Sequence, residues 1–303
     1  MSTPQELIHS CAPYLLVDAG SRNGLPDLSA LHPFSDYIGF DPAEDAFKSN
    51  HKYITERHLS TALSDKIGEA DFYGYAHPSM SSLLEFDEEL FLTHFGLMEN
   101  SAKWKSQFEL RSKSKIRVQT LDAVFENEVP KQIDFLKLDT QGSELAVLKG
   151  ASKLLSMGCI KVIKCEVAFL PVYKNQAVFA DVFALLKSHG YELANLQYYP
   201  ETSLQWGKTA LDYNGFRESV RYGSGADALF YLNTPPQLSE NLRIGILLAA
   251  ANVFSLAAAH FQRTGMATSD IKSLLQFIKH KTVRNPQITW KNYAKMGIKK
   301  CLY

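Results

Sequence analysis

Short apolar runs ending in Asp, Gly or Pro alternate along this chain with stretches of helical periodicity, the pattern of a mostly parallel sheet covered by helices on both faces. Residues 14–18 (YLLVD) read as a first strand, followed by the turn Ala19-Gly20-Ser21-Arg22-Asn23-Gly24. Residues 37–40 read as a second, closed by Asp41-Pro42 because proline cannot continue a sheet ladder. A third is expected over 51–64. Residues 66–115 lack clear periodicity and read as a long irregular insertion, which compact α/β domains keep for function. Regularity returns at 116–121 and at the strongly apolar run 133–139 (IDFLKLD). A helix is expected over 144–155, with Leu145, Val147, Leu148, Ala151 and Leu155 near helical spacing and Ser143 as N-cap. Residues 161–167 read as a strand and 177–189 as a helix stopped by Gly190, with closing strands at 191–199 and 226–232. Pro235-Pro236 punctuates the end of the sheet. The expected organisation is a doubly wound α/β domain over 1–235 and a helical appendage over 236–303, with helices at 240–262 and 269–281.

Composition narrows the partners. Lys+Arg and Asp+Glu both count 32 in 303 residues, so no net charge draws the chain to nucleic acid. Only a local basic face such as Lys295, Lys299 and Lys300 escapes that test. Cys11, Cys159, Cys165 and Cys301 form no CxxC pair and read as reduced packing residues, and the N-terminus lacks a basic leader followed by an apolar run; the expected location is cytoplasmic. Residues 242–261 have the length of a membrane span but contain Arg243, Asn252, Ser255 and His260, and are read as a buried or amphipathic helix. No His/Cys cluster has zinc spacing, and no metal is expected. The oligomeric state is left open, a homodimer being compatible.

A strand ending in Asp18-Ala19-Gly20, with Gly24 four residues on and Asp41 closing the next strand, has a physical meaning in such a fold. Glycines let the backbone turn tightly and approach a ligand, and the loop sits at the carboxyl edge of the sheet. Asp41 is placed to accept both hydroxyls of a ribose. The loop is not GxGxxG, the form suited to the pyrophosphate of NAD. An acid at its start, Asp18, suits the amine of a methionine moiety, so S-adenosylmethionine is the favoured cofactor; a plain structural turn is the alternative. Ser64 and Asp65, after the third strand, are candidates for the adenine rim, with a helix cap as the alternative for Asp65.

Residues 133–151 (IDFLKLDTQGSELAVLKGA) closely resemble the hallmark of the FkbM-type methyltransferases, through Asp134, Lys137, Asp139, Gly142, Glu144, Leu148, Lys149, Gly150 and Ala151. VDAGSRNG (17–24), FDP (40–42), ALSD (62–65), TLD (120–122), KCE (164–166) and ADALF (226–230) extend the resemblance to roughly 14–232. It implies a seven-stranded Rossmann-like sheet of the class I methyltransferase type, S-adenosyl-L-methionine as donor, and O-methylation of sugar hydroxyls in glycans or glycosylated metabolites. Gln141 departs from the family's frequent Glu and removes a charge there.

Asp139, at the end of the strand expected beside the first, is the candidate to orient or deprotonate the acceptor hydroxyl; capping the next turn is its alternative role. Lys137, on the same face, is expected to pair with Glu166. Glu144 either complements the helix dipole or touches substrate. His77 is the second candidate base. Tyr75 and Ser79 within 73–82, Glu166, and Trp206 with Tyr198, Tyr199, Tyr213 and Arg217 before the last strand are candidates for a saccharide acceptor, set against simple packing. Competing readings are a noncatalytic cofactor-binding module and a nicotinamide oxidoreductase.

Overall fold

A computed structural model describes residues 2–42, 52–96, 101–126, 132–198, 224–233 and 238–282. The strands are β1 (Tyr14–Ala19), β2 (Ser35–Phe40), β3 (Thr55–Leu59), β4 (Ala62–Leu63), β5 (Gly68–Tyr75), β6 (Leu110–Gln119), β7 (Ile133–Leu138), β8 (Ile160–Ala168), β9 (Tyr191–Tyr198) and β10 (Gly225–Leu232). The helices are α1 (Pro4–Ser10), α2 (Glu88–Phe95), α3 (Ser101–Lys105), α4 (Leu121–Val124), α5 (Glu144–Lys149), α6 (Ser152–Ser156), α7 (Phe179–Ser188), α8 (Leu238–Ala250), α9 (Phe254–Arg263) and α10 (Thr268–Lys281). Seven strands form a sheet in the order β3-β2-β1-β7-β8-β10-β9, parallel except for β10, which runs against both neighbours. From β1 the chain winds outward through β2 and β3, then returns to lay β7 on the other side of β1. Connections leave the carboxyl ends of β1 and β7 in opposite directions, and a crevice opens there.

Every residue of β1 is buried because the sheet is covered on both faces. The pleat sends Leu15 and Val17 to one side, where they join Ile38, Leu136 and Ile163 under Val147 and Leu148 of α5 and Val182 and Leu186 of α7. It sends Leu16 to the other, where it meets Tyr37, Phe135, Val162 and Leu229 under Ile8, Ile244, Leu247, Leu248 and Phe261. The C-terminal helices, expected as an appendage, therefore share a core with the sheet, and packing runs across residue 235. The Arg243 guanidinium from α8 pairs with Asp134 of β7, donates to the Cys11 carbonyl and lies over the Tyr14 ring. Asp134 is 1 % exposed and also accepts from the Leu15 N–H at 2.8 Å, so this pair ties helix to sheet.

Several expected elements divide. The strand over 51–64 is two, because the chain turns at Ser60-Thr61: β3 completes the main sheet as an exposed polar edge, and β4 pairs with β6 in a second, three-stranded sheet, β4-β6-β5. The insertion is regular after all. Its antiparallel β5–β6 ribbon and helices α2 and α3 enclose an aromatic core of Tyr73, Tyr75, Phe91, Phe95 and Phe108, joined by Tyr173 from the main domain. The strand expected at 116–121 is the end of β6. The helix over 144–155 breaks at Gly150, where a Cβ would lie 2.0 Å from the Ser64 carbonyl oxygen. The helix over 240–262 breaks at Asn252, whose φ is 65°. α1, unforeseen, is set by a Thr3–Glu6 capping box and a proline in its first turn. No described helix is long and apolar enough to cross a membrane. Cys11, Cys159 and Cys165 are free thiols. Trp206, Tyr199, Tyr213, Arg217, Cys301 and the lysines at 295, 299 and 300 lie outside the described residues.

Candidate active site

Three strand ends are laced together at Gly20. Its N–H donates to the Phe40 carbonyl at the end of β2 (2.9 Å), and the Asp139 N–H after β7 donates to the Ala19 carbonyl (3.0 Å). Gly20 has a φ of 78°, and a Cβ there would sit 1.8 Å from the Asp139 carbonyl oxygen, so only glycine lets the loop cross so close to β7. Above this junction lies a cleft. Its sheet side is formed by Gly20, Arg22, Phe40, Asp41, Asp139, Thr140 and Gln141; its other wall comes from Ala62 and Leu63 of β4 and from Phe72, Pro78, Ser79, Ser81, Ser82 and Leu83 of the insertion. Ser82 donates its hydroxyl to the Gln141 carbonyl at 2.6 Å, and the Tyr173 hydroxyl donates to the Met80 carbonyl at 2.8 Å, docking the insertion on the strand ends.

The expected site residues distribute unevenly. Gly20, Asp41, Asp139 and Ser79 line the cleft. Gly24, with a φ of 63°, closes the short turn after Gly20, its N–H donating to the Ser21 carbonyl at 3.1 Å. Asp18 does not reach the cleft. It is fully buried, with one oxygen 3.0 Å from the Lys137 ammonium and the other accepting from the Tyr37 hydroxyl at 2.9 Å. The partner of Lys137 is thus Asp18, with Asp139 at 3.4 Å, instead of Glu166. Burial outweighs the pull of Lys137 and leaves Asp18 above its ordinary value. The Lys137 ammonium, desolvated but facing two carboxylates, is held above its ordinary value.

Glu166 does not face the cleft directly either. Gln141, at a φ of 55°, donates from its amide nitrogen both to Asp139 Oδ1 (2.9 Å) and to Glu166 (2.8 Å). Burial, together with the charges of Asp139 and Glu144 and a hydrogen bond with Asp139, pushes Glu166 well above its ordinary value. Desolvation is the largest single influence on Asp139 and works to raise it. The Lys137 ammonium and hydrogen bonds from Glu166, Gln141 and Lys137 prevail and hold Asp139 below the usual carboxylate range. The result is a cleft-lining carboxylate with one oxygen on the Gln141 amide and the other 3.4 Å from the Lys137 ammonium. Two carboxyl groups in contact cannot both ionise cheaply, and here the partition is set by which one faces Lys137.

Glu144 is a turn cap: its buried carboxylate accepts from the N–H and hydroxyl of Thr140 (2.7 and 3.1 Å) and from the Gly142 N–H (3.1 Å). Tyr75 belongs to the aromatic core, its hydroxyl donating to the Leu84 carbonyl and accepting from the Phe86 N–H. The buried Ser64 hydroxyl donates to Asp65 at 3.2 Å; these two adjoin the cleft residues Ala62 and Leu63 without lining it. His77 precedes the cleft residues Pro78 and Ser79 but does not line it; its Nδ1 is buried without a partner. Trp206 lies outside the described residues. Sequence reasoning missed Arg22 and gave Gln141 no positive role. Arg22 was legible as a charged residue inside a glycine loop, but its direction required the fold. Among the described residues no group of three or more His, Cys, Asp or Glu side chains is placed to hold a metal ion.

Fold and cleft together define an α/β protein whose acidic crevice lies at the carboxyl ends of β1, β2 and β7. The Methyltransferase FkbM domain matches residues 18–193, and the chain belongs to that family. No curated protein matches it. Among solved structures, the 16S rRNA (adenine(1408)-N(1))-methyltransferase from Catenulisporales acidiphilia is similar at 13 % identity, over 78 % of this chain and 96 % of that one. Its TM-score is 0.27, too low a likeness to argue from.

Proposed function

We propose that the protein is a cytoplasmic S-adenosylmethionine-dependent O-methyltransferase whose acceptor is a hydroxyl, in a sugar of a glycan or glycosylated metabolite. The observation that carries this reading is the convergence of Gly20, Asp41 and Asp139, from three separate strand ends, on one cleft. The strand order, with its reversal beside β1, supports a doubly wound, Rossmann-like sheet of the class I methyltransferase type. The residues fit the cofactor. Asp41 stands where a ribose is held in such folds, the Cβ-free Gly20 admits close approach, and two carboxylates at the cleft suit a cationic nucleoside better than a pyrophosphate. Asp18, buried below, acts through Lys137 and not by contact.

When bound, the cofactor supplies an electrophilic methyl group on a sulfonium sulfur. The chain's own part is to position the acceptor and receive its proton. Asp139, which lines the cleft, accepts a hydrogen bond from the acceptor hydroxyl while Lys137 and Gln141 hold its carboxylate in place, aligning the lone pair for in-line attack. A carboxylate of lowered pKa is a weak base toward an alcohol, so proton transfer follows as the oxygen gains its methyl group and turns strongly acidic. Ser79, Ser81 and the apolar Phe72 and Leu83 of the insertion suit a saccharide's mixture of hydroxyls and C–H faces.

Calorimetric titration tests the cofactor: S-adenosylhomocysteine should bind and NAD should not, and the reverse would refute the reading. A labelled-methyl screen against sugar nucleotides and oligosaccharides then addresses the acceptor, where label confined to nitrogen acceptors would overturn the oxygen assignment.

A further inference from the structure

Among the described residues, Arg22 is a cation on the cleft wall with no acidic partner. It sits in the short turn between Gly20 and Gly24 and lines the cleft, yet among the described residues no carboxylate or carbonyl takes its guanidinium. Lys137, the other cation near the strand ends, is committed to Asp18 and Asp139 beneath the loop. The five donors of Arg22 in a planar fork match a carboxylate bidentately. Position narrows which carboxylate. Asp41 marks the ribose end at β2, and Asp139 marks the reacting end at β7; Arg22 lies on the turn leaving β1, the strand between them.

We infer that Arg22 holds the α-carboxylate of the methionine moiety of the cofactor, an assignment that rests on the cofactor reading above. Arg22 then gives the cleft a charge pattern complementary to S-adenosylmethionine, with acids for the ribose and the cationic centre and one cation for the single anion. The same residue explains how a loop opened by a fully committed Asp18 still discriminates the amino-acid end of the ligand. The contact is with a part of the cofactor unchanged by methyl transfer, so donor and product bind through it equally, and its worth appears in affinity and not in the chemical step.

The test compares two nucleosides on the full chain. S-adenosylhomocysteine carries the carboxylate; 5′-methylthioadenosine has the same adenosine thioether without the amino-acid end. In calorimetric titrations, Arg22→Ala should weaken S-adenosylhomocysteine about 10- to 100-fold and leave 5′-methylthioadenosine unchanged. Arg22→Lys, which keeps the charge but loses the fork, should fall between. Since Arg22 has no charged partner among the described residues, thermal unfolding of the free variants should match the wild type. Equal loss of both ligands, or S-adenosylhomocysteine affinity within about threefold of wild type, would overturn the assignment while leaving the cofactor reading intact. Failure of the wild type to bind either nucleoside would instead remove the cofactor reading and this inference with it.

Discussion

Gly20→Ala separates two physical costs that usually arrive together. Gly20 and Gly265 share a φ of 78°, but a Cβ at Gly20 meets the Asp139 carbonyl at 1.8 Å while one at Gly265, after α9, meets nothing within 4 Å. Alanine at either site bears the left-handed backbone cost of about 1–2 kcal/mol, partly offset by a stiffer unfolded chain. At Gly20 the ends of β1 and β7 must also part by more than an ångström, straining the Asp139 N–H to Ala19 carbonyl bond of 3.0 Å. Overpacking of that kind adds about 1–3 kcal/mol. Gly265→Ala should therefore lower the melting temperature by only a few degrees, and Gly20→Ala by roughly twice that or more, at about 2–4 °C per kcal/mol. Differential scanning calorimetry measures both, and titration with S-adenosylhomocysteine should show lost affinity for Gly20→Ala alone. Equal thermal losses would refute the argument that contact with β7, and not φ, makes the residue glycine.

Other perturbations read the buried charges. Lys137→Met leaves Asp18 buried without its counter-charge and should cost about 3–5 kcal/mol in urea unfolding, much of it recovered by adding Asp18→Asn; additive losses would mean the pair is not coupled. Arg243→Met should cost a similar amount, about 3–5 kcal/mol, by stranding Asp134, and a loss below about 1 kcal/mol would contradict the integral place of α8. Glu166 has a raised folded pKa, so the stability it contributes is full below the ordinary Glu value of 4.5 and is lost as pH rises through the raised value. Glu166→Gln should match wild type near pH 4 and gain on it progressively above, and a pH-independent difference would exclude a proton held on Glu166. Asp139 has the opposite sign: its contribution is present above the ordinary Asp value of 3.8 and is lost as pH falls through its lowered one.

Much of the main sheet was legible because local pattern and global burial agree there. Residues 14–18 and 133–139 are apolar on both faces, which only a doubly covered strand tolerates, and the expected place of 133–139 beside 14–18 matches the β1–β7 pairing. Asp41 and Asp139 were legible because each directly follows an apolar strand, β2 and β7. The aromatic insertion was opaque: β6 reads LRSKSKIRVQ, a ribbon with most of its side chains in water, where pairing and not periodicity makes the strand.

What the linear order of residues determined by itself was which segments must be buried, where glycine and proline forbid continuation, and which acids stand at strand ends. The direction in which each charged side chain spends its charge was decided only in three dimensions. Asp18 turned inward to Lys137, Gln141 came to bridge Asp139 and Glu166, and Arg22 was left facing the cleft, because partners 119 or 25 residues apart meet only when β1, β7 and β8 lie side by side. Likewise α8 reads as one more helix until the apolar underside of the sheet, with Tyr14, Leu16 and Phe135 still uncovered, gives its buried face something to cover. Burial is a property of composition, but pairing is a property of proximity, and proximity is what folding creates.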